Sequence, residues 1–284
     1  MMQADYENND LGILYPYEDL YIYYLQGRVS TKDERNLGEY FLGNWVEDNT
    51  SFLFFSSPAQ EELARLLKRR DDLDLIDDYQ FTYKEWQGSG LDTLSIEQFL
   101  ICPPWLEIMP DEGVIRISLD PGVVFGNGLH PTTRDCLRAL AYTAREKPFY
   151  HVLDLGTGTG ILALAAAFLG GKRVMAVDLN PLCVKTAIRN VGLNNLDHIV
   201  QVAAGRAEDC MKEPADLVLA NIHHEVVARF IENRDFQDGR RFIISGLMRS
   251  SARDIKDRME KKGLRLIREW DHEMTWYTML FQSG

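Results

Sequence analysis

The sequence predicts an α/β fold: a doubly wound, mostly parallel sheet with a smaller α+β domain ahead of it. Three observations carry this. From residue 151 onward, short apolar runs alternate with helix-type stretches, the order that builds parallel sheets with crossover helices. The runs are apolar at successive positions, as in strands covered on both faces. Finally, 284 residues exceed what one hydrophobic core usually organises, so two domains are expected.

Taken in order, residues 17–26 are rich in Tyr, Ile and Leu and read as a strand. Residues 31–42 are polar with scattered apolar positions and read as a helix. Phe52, Leu53, Phe54 and Phe55 mark a strand over 50–55. Ser57-Pro58, with Glu61 and Glu62 close behind, marks a helix start. Leu63, Leu66 and Leu67 then give that helix one apolar face. Residues 74–84 supply a third strand. This strand–helix–strand–helix–strand unit is the expected first domain, residues 1–88.

Residues 89–110 read as a linker, which Cys102-Pro103-Pro104-Trp105 keeps irregular. The second domain, 111–284, opens on a strand at 114–119. A loop rich in glycine and proline runs from Asp120 to Thr133 around a single histidine, His130, and a helix follows at 134–145. Such a loop is suited to covering a ligand. Strands are then expected at 151–155, 174–178, 199–203, 216–221 and 241–245, with helices at 161–169, 181–190, between the last two strands, and at 251–262. Two closing strands, 264–270 and 275–281, complete the chain.

The chemistry concentrates where the strand at 151–155 ends. Asp154-Leu155-Gly156-Thr157-Gly158-Thr159-Gly160 leads into an Ala- and Leu-rich helix. A strand, a glycine turn and a helix bring backbone N–H groups and a helix N-terminus up to a ligand, and glycines allow close approach. Asp178 follows 24 positions after Asp154, at the end of the neighbouring strand, where a carboxylate can accept hydrogen bonds from both hydroxyls of a ribose. Dinucleotide sites use Gly-x-Gly-x-x-Gly to seat a pyrophosphate on the helix. Here the spacing is Gly-x-Gly-x-Gly after an acid, which repels phosphate and suits a cation. S-adenosylmethionine, a sulfonium that also carries an ammonium, fits that order better than NAD does.

Composition excludes other classes. No apolar run reaches the ~18 residues of a membrane span. The first thirty residues, holding Asp5, Glu7, Asp10, Glu18 and Asp19, do not resemble a signal peptide. Cys102, Cys136, Cys183 and Cys210 lack metal-type spacing, and reduced thiols in a cytoplasmic protein are expected, with no metal. Charge is uneven: residues 1–110 hold 8 Lys/Arg against 21 Asp/Glu, and residues 111–284 hold 23 against 22. The acidic front favours a basic partner over nucleic acid, or simply keeps the protein soluble.

These motifs together resemble a known family. The order Asp120-Pro121-Gly122, Phe125-Gly126-x-Gly128-x-His130-Pro131-Thr132-Thr133, Asp154-Leu155-Gly156-x-Gly158-x-Gly160, Asp178-x-Asn180-Pro181 and Ala220-Asn221-Ile222 is similar to that of the PrmA methyltransferases. Pro103-Pro104-Trp105 and Ser245-Gly246-Leu247 fit the same pattern. The motifs cover residues 101 to about 250, and the front of the chain matches only in size and layout. The glycine and acid motifs are common to class I methyltransferases, and the Phe-Gly-x-Gly-x-His-Pro-Thr-Thr loop is the specific part. The family carries Thr at the positions of Asn127 and Leu129, and it has no His pair at His223-His224.

The resemblance implies a class I, Rossmann-like methyltransferase domain behind a small substrate-docking domain. It implies methylation of lysine or N-terminal amines of large-subunit ribosomal protein eleven, a basic partner, with S-adenosylmethionine as donor. The expected donor contacts are Thr132, Thr133, Asp154, Gly156, Thr157, Gly158, Gly160, Asp178, Asn180, Glu208 and Asn221. Asp178 holds the ribose, Asp154 faces the ammonium, and Glu208 lies near the adenine or is an exposed acid. Asn221 accepts a hydrogen bond from the attacking amine or the donor ammonium, or is a turn asparagine. His130 relays the departing proton or orders its loop. Thr132 and Thr133 touch the methionine end or cap the helix. Competing readings are a methyltransferase for another protein or a small molecule, a nicotinamide dehydrogenase, and a non-catalytic nucleotide-binding module.

Overall fold

A computed structural model of the chain describes residues 7–8, 14–15, 17–87, 93–233 and 240–283. The chain divides into two compact units, Met1–Asp92 and Thr93–Gly284.

In the first unit, β1 (Glu7–Asn8) and β2 (Leu14–Tyr15) pair as a short antiparallel ribbon. A four-stranded antiparallel sheet holds β3 (Asp19–Gln26), β4 (Phe41–Glu47), β5 (Thr50–Phe55) and β6 (Asp74–Thr82) in the order β4-β5-β3-β6. Tyr23, Leu25, Leu53 and Phe55 on one sheet face pack with Leu63 and Leu66 of helix α2 (Gln60–Arg69). The helix expected over 31–42 is only α1 (Thr31–Glu34). Ser30 and Asp33 close a capping box on it, and Gly38, at φ +83°, lies in the stretch leading to β4. β4 has no counterpart in the sequence reading, because Gly43 and Asn44 interrupt its strand pattern. Asn44 is buried there, donating to Val29 O and to Glu34. The third strand stops at Thr82, and Tyr83–Gln87 turns into helix α3.

The second unit opens on β7 (Leu94–Ile96), β8 (Phe99–Cys102) and β9 (Ile115–Ser118), a small sheet in the order β7-β8-β9. Residues 94–102, read from sequence as linker, are therefore strands, and residues 88–92 lie outside the described residues. Helix α4 (Pro131–Glu146) follows the long loop. The remaining elements alternate: β10 (His151–Leu155), α5 (Ile161–Phe168), β11 (Arg173–Asp178), α6 (Pro181–Leu193), β12 (Val200–Ala204), β13 (Leu217–Asn221), α7 (His224–Glu232), β14 (Arg241–Met248), α8 (Arg249–Lys261), β15 (Leu264–His272) and β16 (Trp276–Ser283).

Seven of these strands form one sheet, ordered β12-β11-β10-β13-β14-β16-β15. The first five are parallel, and β16 and β15 close the edge antiparallel. Alternate residues face opposite layers. Val152, Leu217, Leu219 and Ile243 pack with α4 and α5, whereas Leu153, Val218, Phe242 and Ile244 pack with α7 and α8. The chain winds away from β10 toward β12 on one side and from β13 toward β14 on the other. The point of reversal is the gap between β10 and β13, where open α/β sheets form a ligand crevice at the carboxyl ends of their strands.

Candidate active site

The residues singled out from sequence lie largely at that crevice. Asp154 is the penultimate residue of β10 and 1% exposed. Thr157 Oγ1 donates to its Oδ2 at 2.6 Å, while Oδ1 is buried with no hydrogen-bond partner among the described residues. Burial pushes the Asp154 carboxyl up to about 7, the neighbouring Asp178 charge adds to this, and the Thr157 hydrogen bond offsets part of it.

The glycine turn is held by its own N–H groups. Gly156 N and Thr157 N donate to Val177 O at 2.8 and 3.0 Å, and Gly158 N donates to Asp178 Oδ2 at 3.0 Å. Thr159 N donates to Phe125 O at 3.2 Å and Gly160 N to Thr157 O at 2.9 Å. In this structure the close approach of β11 and of the 120–130 loop gives these N–H groups partners within the protein. Two carboxylates stand beside the turn, that of the buried Asp154 and that of the half-buried Asp178. The glycines answer to protein neighbours. Gly156 has φ +71°, and a Cβ there would lie 2.1 Å from Ile222 Cγ2, across the gap between β10 and β13. A Cβ on Gly158 would lie 2.6 Å from Phe125 O.

Asp178 ends β11 half-buried, and Oδ1 accepts from Asn180 N at 2.9 Å. Asn180 caps α6, its Oδ1 accepting from Leu182 N at 2.9 Å. Asn221 ends β13, and Nδ2 reaches Thr133 Oγ1 at 3.5 Å, joining β13 to the start of α4. Gly246, at φ +79°, leaves room for this asparagine: a Cβ there would lie 3.2 Å from Asn221 Oδ1 and 2.8 Å from Ile222 O.

The cap of α4 is His130, neither threonine. Its Nδ1 accepts from Thr132 N at 3.3 Å and lies 2.8 Å from Thr132 Oγ1, with Pro131 at the first helical position. The imidazole sits edge-on between Phe125, at 5.3 Å, and Trp276, at 5.1 Å. Burial holds its pKa below the ordinary histidine value, and His272 lowers it further. Thr132 and Thr133 are each 1% exposed.

Glu208 lies on a 3₁₀ turn (Ala207–Cys210) after β12. Its Oε1 meets Arg229 at 2.8 Å and Arg206 at 3.2 Å. Burial raises its pKa, but its hydrogen bonds, those from Arg206 and Arg229 among them, outweigh burial and leave it below the ordinary carboxylate value. His223 and His224 lie ring to ring, 4.7 Å apart, at the start of α7. Among the described residues no cluster of His, Cys, Asp and Glu is placed to hold a metal ion.

Sequence reasoning quoted Thr159 and Asp120 within motifs but gave them no role, and it passed over Asn190. Thr159 is fully buried, and Oγ1 donates to Gly126 O at 2.8 Å. Asn190 is fully buried in α6 and bonds to both Asp120 and Thr159. The signal was present in the sequence as a polar residue amid the apolar face of a helix, where unsatisfied amides are costly.

The sheet order and crevice define the class: this is the α/β fold of the class I methyltransferases. A model of the family described as ribosomal protein L11 methyltransferase (PrmA) matches residues 60–283, and the chain belongs to that family. A relative named ribosomal protein L11 methyltransferase from Geobacillus kaustophilus is 44% identical over 164 residues, which cover 57% of this chain and 52% of the relative. One of the same name from Listeria monocytogenes is 32% identical over 236 residues, covering 78% and 74%. The chain thus spans about half the length of the first of these relatives and about three quarters of the second. A crystal structure of ribosomal protein L11 methylase from Lactobacillus delbrueckii subsp. bulgaricus superimposes with a TM-score of 0.59 at 27% identity, covering 68% of this chain and 98% of that one.

Proposed function

We propose that the protein is an S-adenosylmethionine-dependent methyltransferase that modifies lysine or N-terminal amines of ribosomal protein L11. The observation that carries this reading is the electrostatic make-up of the crevice. Its glycine-turn N–H groups are spent internally, and two acids, Asp154 and Asp178, line the strand ends. A pyrophosphate needs free N–H donors and no facing carboxylate. A sulfonium with an ammonium group and a ribose needs acceptors, and the buried, unpartnered Oδ1 of Asp154 is one. Relatives named for methylation of L11 support the choice of target.

The bound donor supplies an already activated methyl group, so the residues of this chain mainly bind, orient and exclude water. Asp178, fixed by Gly158 N and Asn180 N, presents its remaining lone pairs to the ribose hydroxyls. Asp154 balances the ammonium. Thr132 and Thr133 wall the methionine end from the start of α4, and Glu208 contributes to the adenine side. Asn221 Oδ1 accepts a hydrogen bond from the attacking amine and aims its lone pair at the methyl group. That amine must arrive deprotonated, since an ammonium has no lone pair. His130, whose Nδ1 is engaged at the helix cap, orders the loop around the reacting groups. The acidic first unit docks the basic substrate.

Calorimetric titration with S-adenosylmethionine tests the donor, and mass spectrometry of L11 incubated with enzyme and donor tests the target. Wild-type protein is expected to bind and to add 14 Da increments to L11, about one CH₂ per transfer. The Asp178→Ala variant is expected to lose binding while keeping its thermal transition. Unchanged affinity in that variant removes the ribose assignment.

A further inference from the structure

Helix α6 carries two asparagines one turn apart, and both reach the open edge of β9 and the chain leaving it. Asn194 Oδ1 accepts from Ser118 N at 2.9 Å, and Asn194 Nδ2 donates to Ser118 O at 2.7 Å. Asn190 repeats the pattern on Asp120: Oδ1 accepts from the backbone N at 2.9 Å, and Nδ2 donates to the backbone O at 2.9 Å. Each side-chain amide stands in for the peptide group of a neighbouring strand. The two spacings agree, since four helical residues rise about 6 Å and two strand residues about 6.6 Å. Arg189, the neighbour of Asn190, pairs with the fully buried Asp120 carboxylate at 2.8 Å.

The two asparagines differ in where the remaining Nδ2 hydrogen goes. Asn194 gives it to Asn190 O, at 2.7 Å, within the helix, whereas Asn190 gives its own to Thr159 O, at 2.9 Å, inside the glycine turn. Thr159 in turn holds Phe125 O and Gly126 O on the loop. Asn190 is fully buried, and both its amide hydrogens and its oxygen are engaged. We propose that Asn190 is a positioning residue: it locks the 120–130 loop onto the glycine turn before the donor arrives, whereas Asn194 ties the strand to the carbonyl of Asn190 and does not bond to the turn. The proposal rests on the reading of the crevice as the donor site. A loop fixed in advance spares the donor the entropy of ordering it, so loosening this one residue weakens donor binding.

Three variants of the full chain test this: Asn190→Ala, Asn190→Asp and Asn194→Ala. Asn190→Asp keeps the shape and the accepting oxygen but loses both donors. All three are expected to melt lower than wild type. Only the Asn190 variants are expected to raise the donor Kd, by about tenfold or more, with Asn194→Ala within about twofold. Hydrogen-exchange mass spectrometry without donor is expected to show faster exchange across 156–160 in the Asn190 variants and wild-type protection there in Asn194→Ala. Wild-type affinity in Asn190→Asp, or an equal loss in Asn194→Ala, overturns the proposal. If Asn190→Ala fails to fold, Asn190→Asp decides. If wild-type protein binds no donor, the donor-site reading fails by itself. Exchange then decides the clasp, and unchanged protection at 156–160 in Asn190→Asp overturns it.

Discussion

Asp154 ends its strand with both oxygens out of water, one held by Thr157 and the other without a hydrogen-bond partner among the described residues. Its carboxyl titrates near 7 in the fold, against about 3.9 for an ordinary aspartate. Between those values the folded protein keeps a proton that the unfolded chain has released. The stability tied to this proton is full below about pH 4 and is lost as pH rises toward 7. Donor binding has the opposite sign, because a facing ammonium favours the ionised carboxylate. Affinity for S-adenosylmethionine is expected to rise from pH 6 to pH 8 and then level off, with proton release on binding. Calorimetry in buffers of different ionisation enthalpy measures both, and Asp154→Asn is expected to flatten the profile. His130 titrates below its ordinary value, because burial disfavours the charged ring and His272 adds to this.

At the scale of elements, the start of α4 joins the loop to the helix through one side chain. His130→Ala removes the acceptor for Thr132 N and is expected to cost about 1 kcal/mol, as lost helix caps do. Asparagine is a strong cap, so His130→Asn is expected to recover most of that loss in urea denaturation. If methylation at saturating donor also recovers in His130→Asn, the imidazole serves to order the loop and does not relay a proton. The α4 cap also marks the limit of sequence reading. Thr132 and Thr133 follow the proline and look like caps by residue type, yet the histidine before Pro131 holds the capping geometry. In the same way, β4 was hidden by Gly43 and Asn44, whose strand character comes only from pairing with β5. The glycine turn and its flanking acids were legible because a doubly buried strand leaves an unmistakable apolar run, and an acid at its end is then conspicuous. Asn190 was legible only in part: it falls on the buried face of α6 with Cys183, Ala187 and Val191, but residue type does not say that its amide meets a strand edge.

At the scale of the whole molecule, the two units carry separate hydrophobic cores. Tyr23, Leu53 and Leu66 belong to one, and the layers on either face of the seven-stranded sheet belong to the other. Charge divides as unevenly as the cores do, since all of the excess acid precedes residue 111. Removing residues 1–92 is expected to leave donor affinity within about threefold of wild type, because each crevice residue belongs to the second unit. Methylation of L11 is expected to be lost in the same protein. Calorimetry and mass spectrometry read the two outcomes, and retained methylation of L11 refutes docking by the first unit.

The contact between His130 and Trp276 has a practical corollary. An imidazolium drains excited-state energy from an adjacent indole, and these two rings are 5.1 Å apart. The light emitted by Trp276 therefore reports the protonation of the loop histidine and any displacement of its ring. In a variant that keeps Trp276 as its sole tryptophan of the five, emission is therefore expected to follow the ionisation of His130.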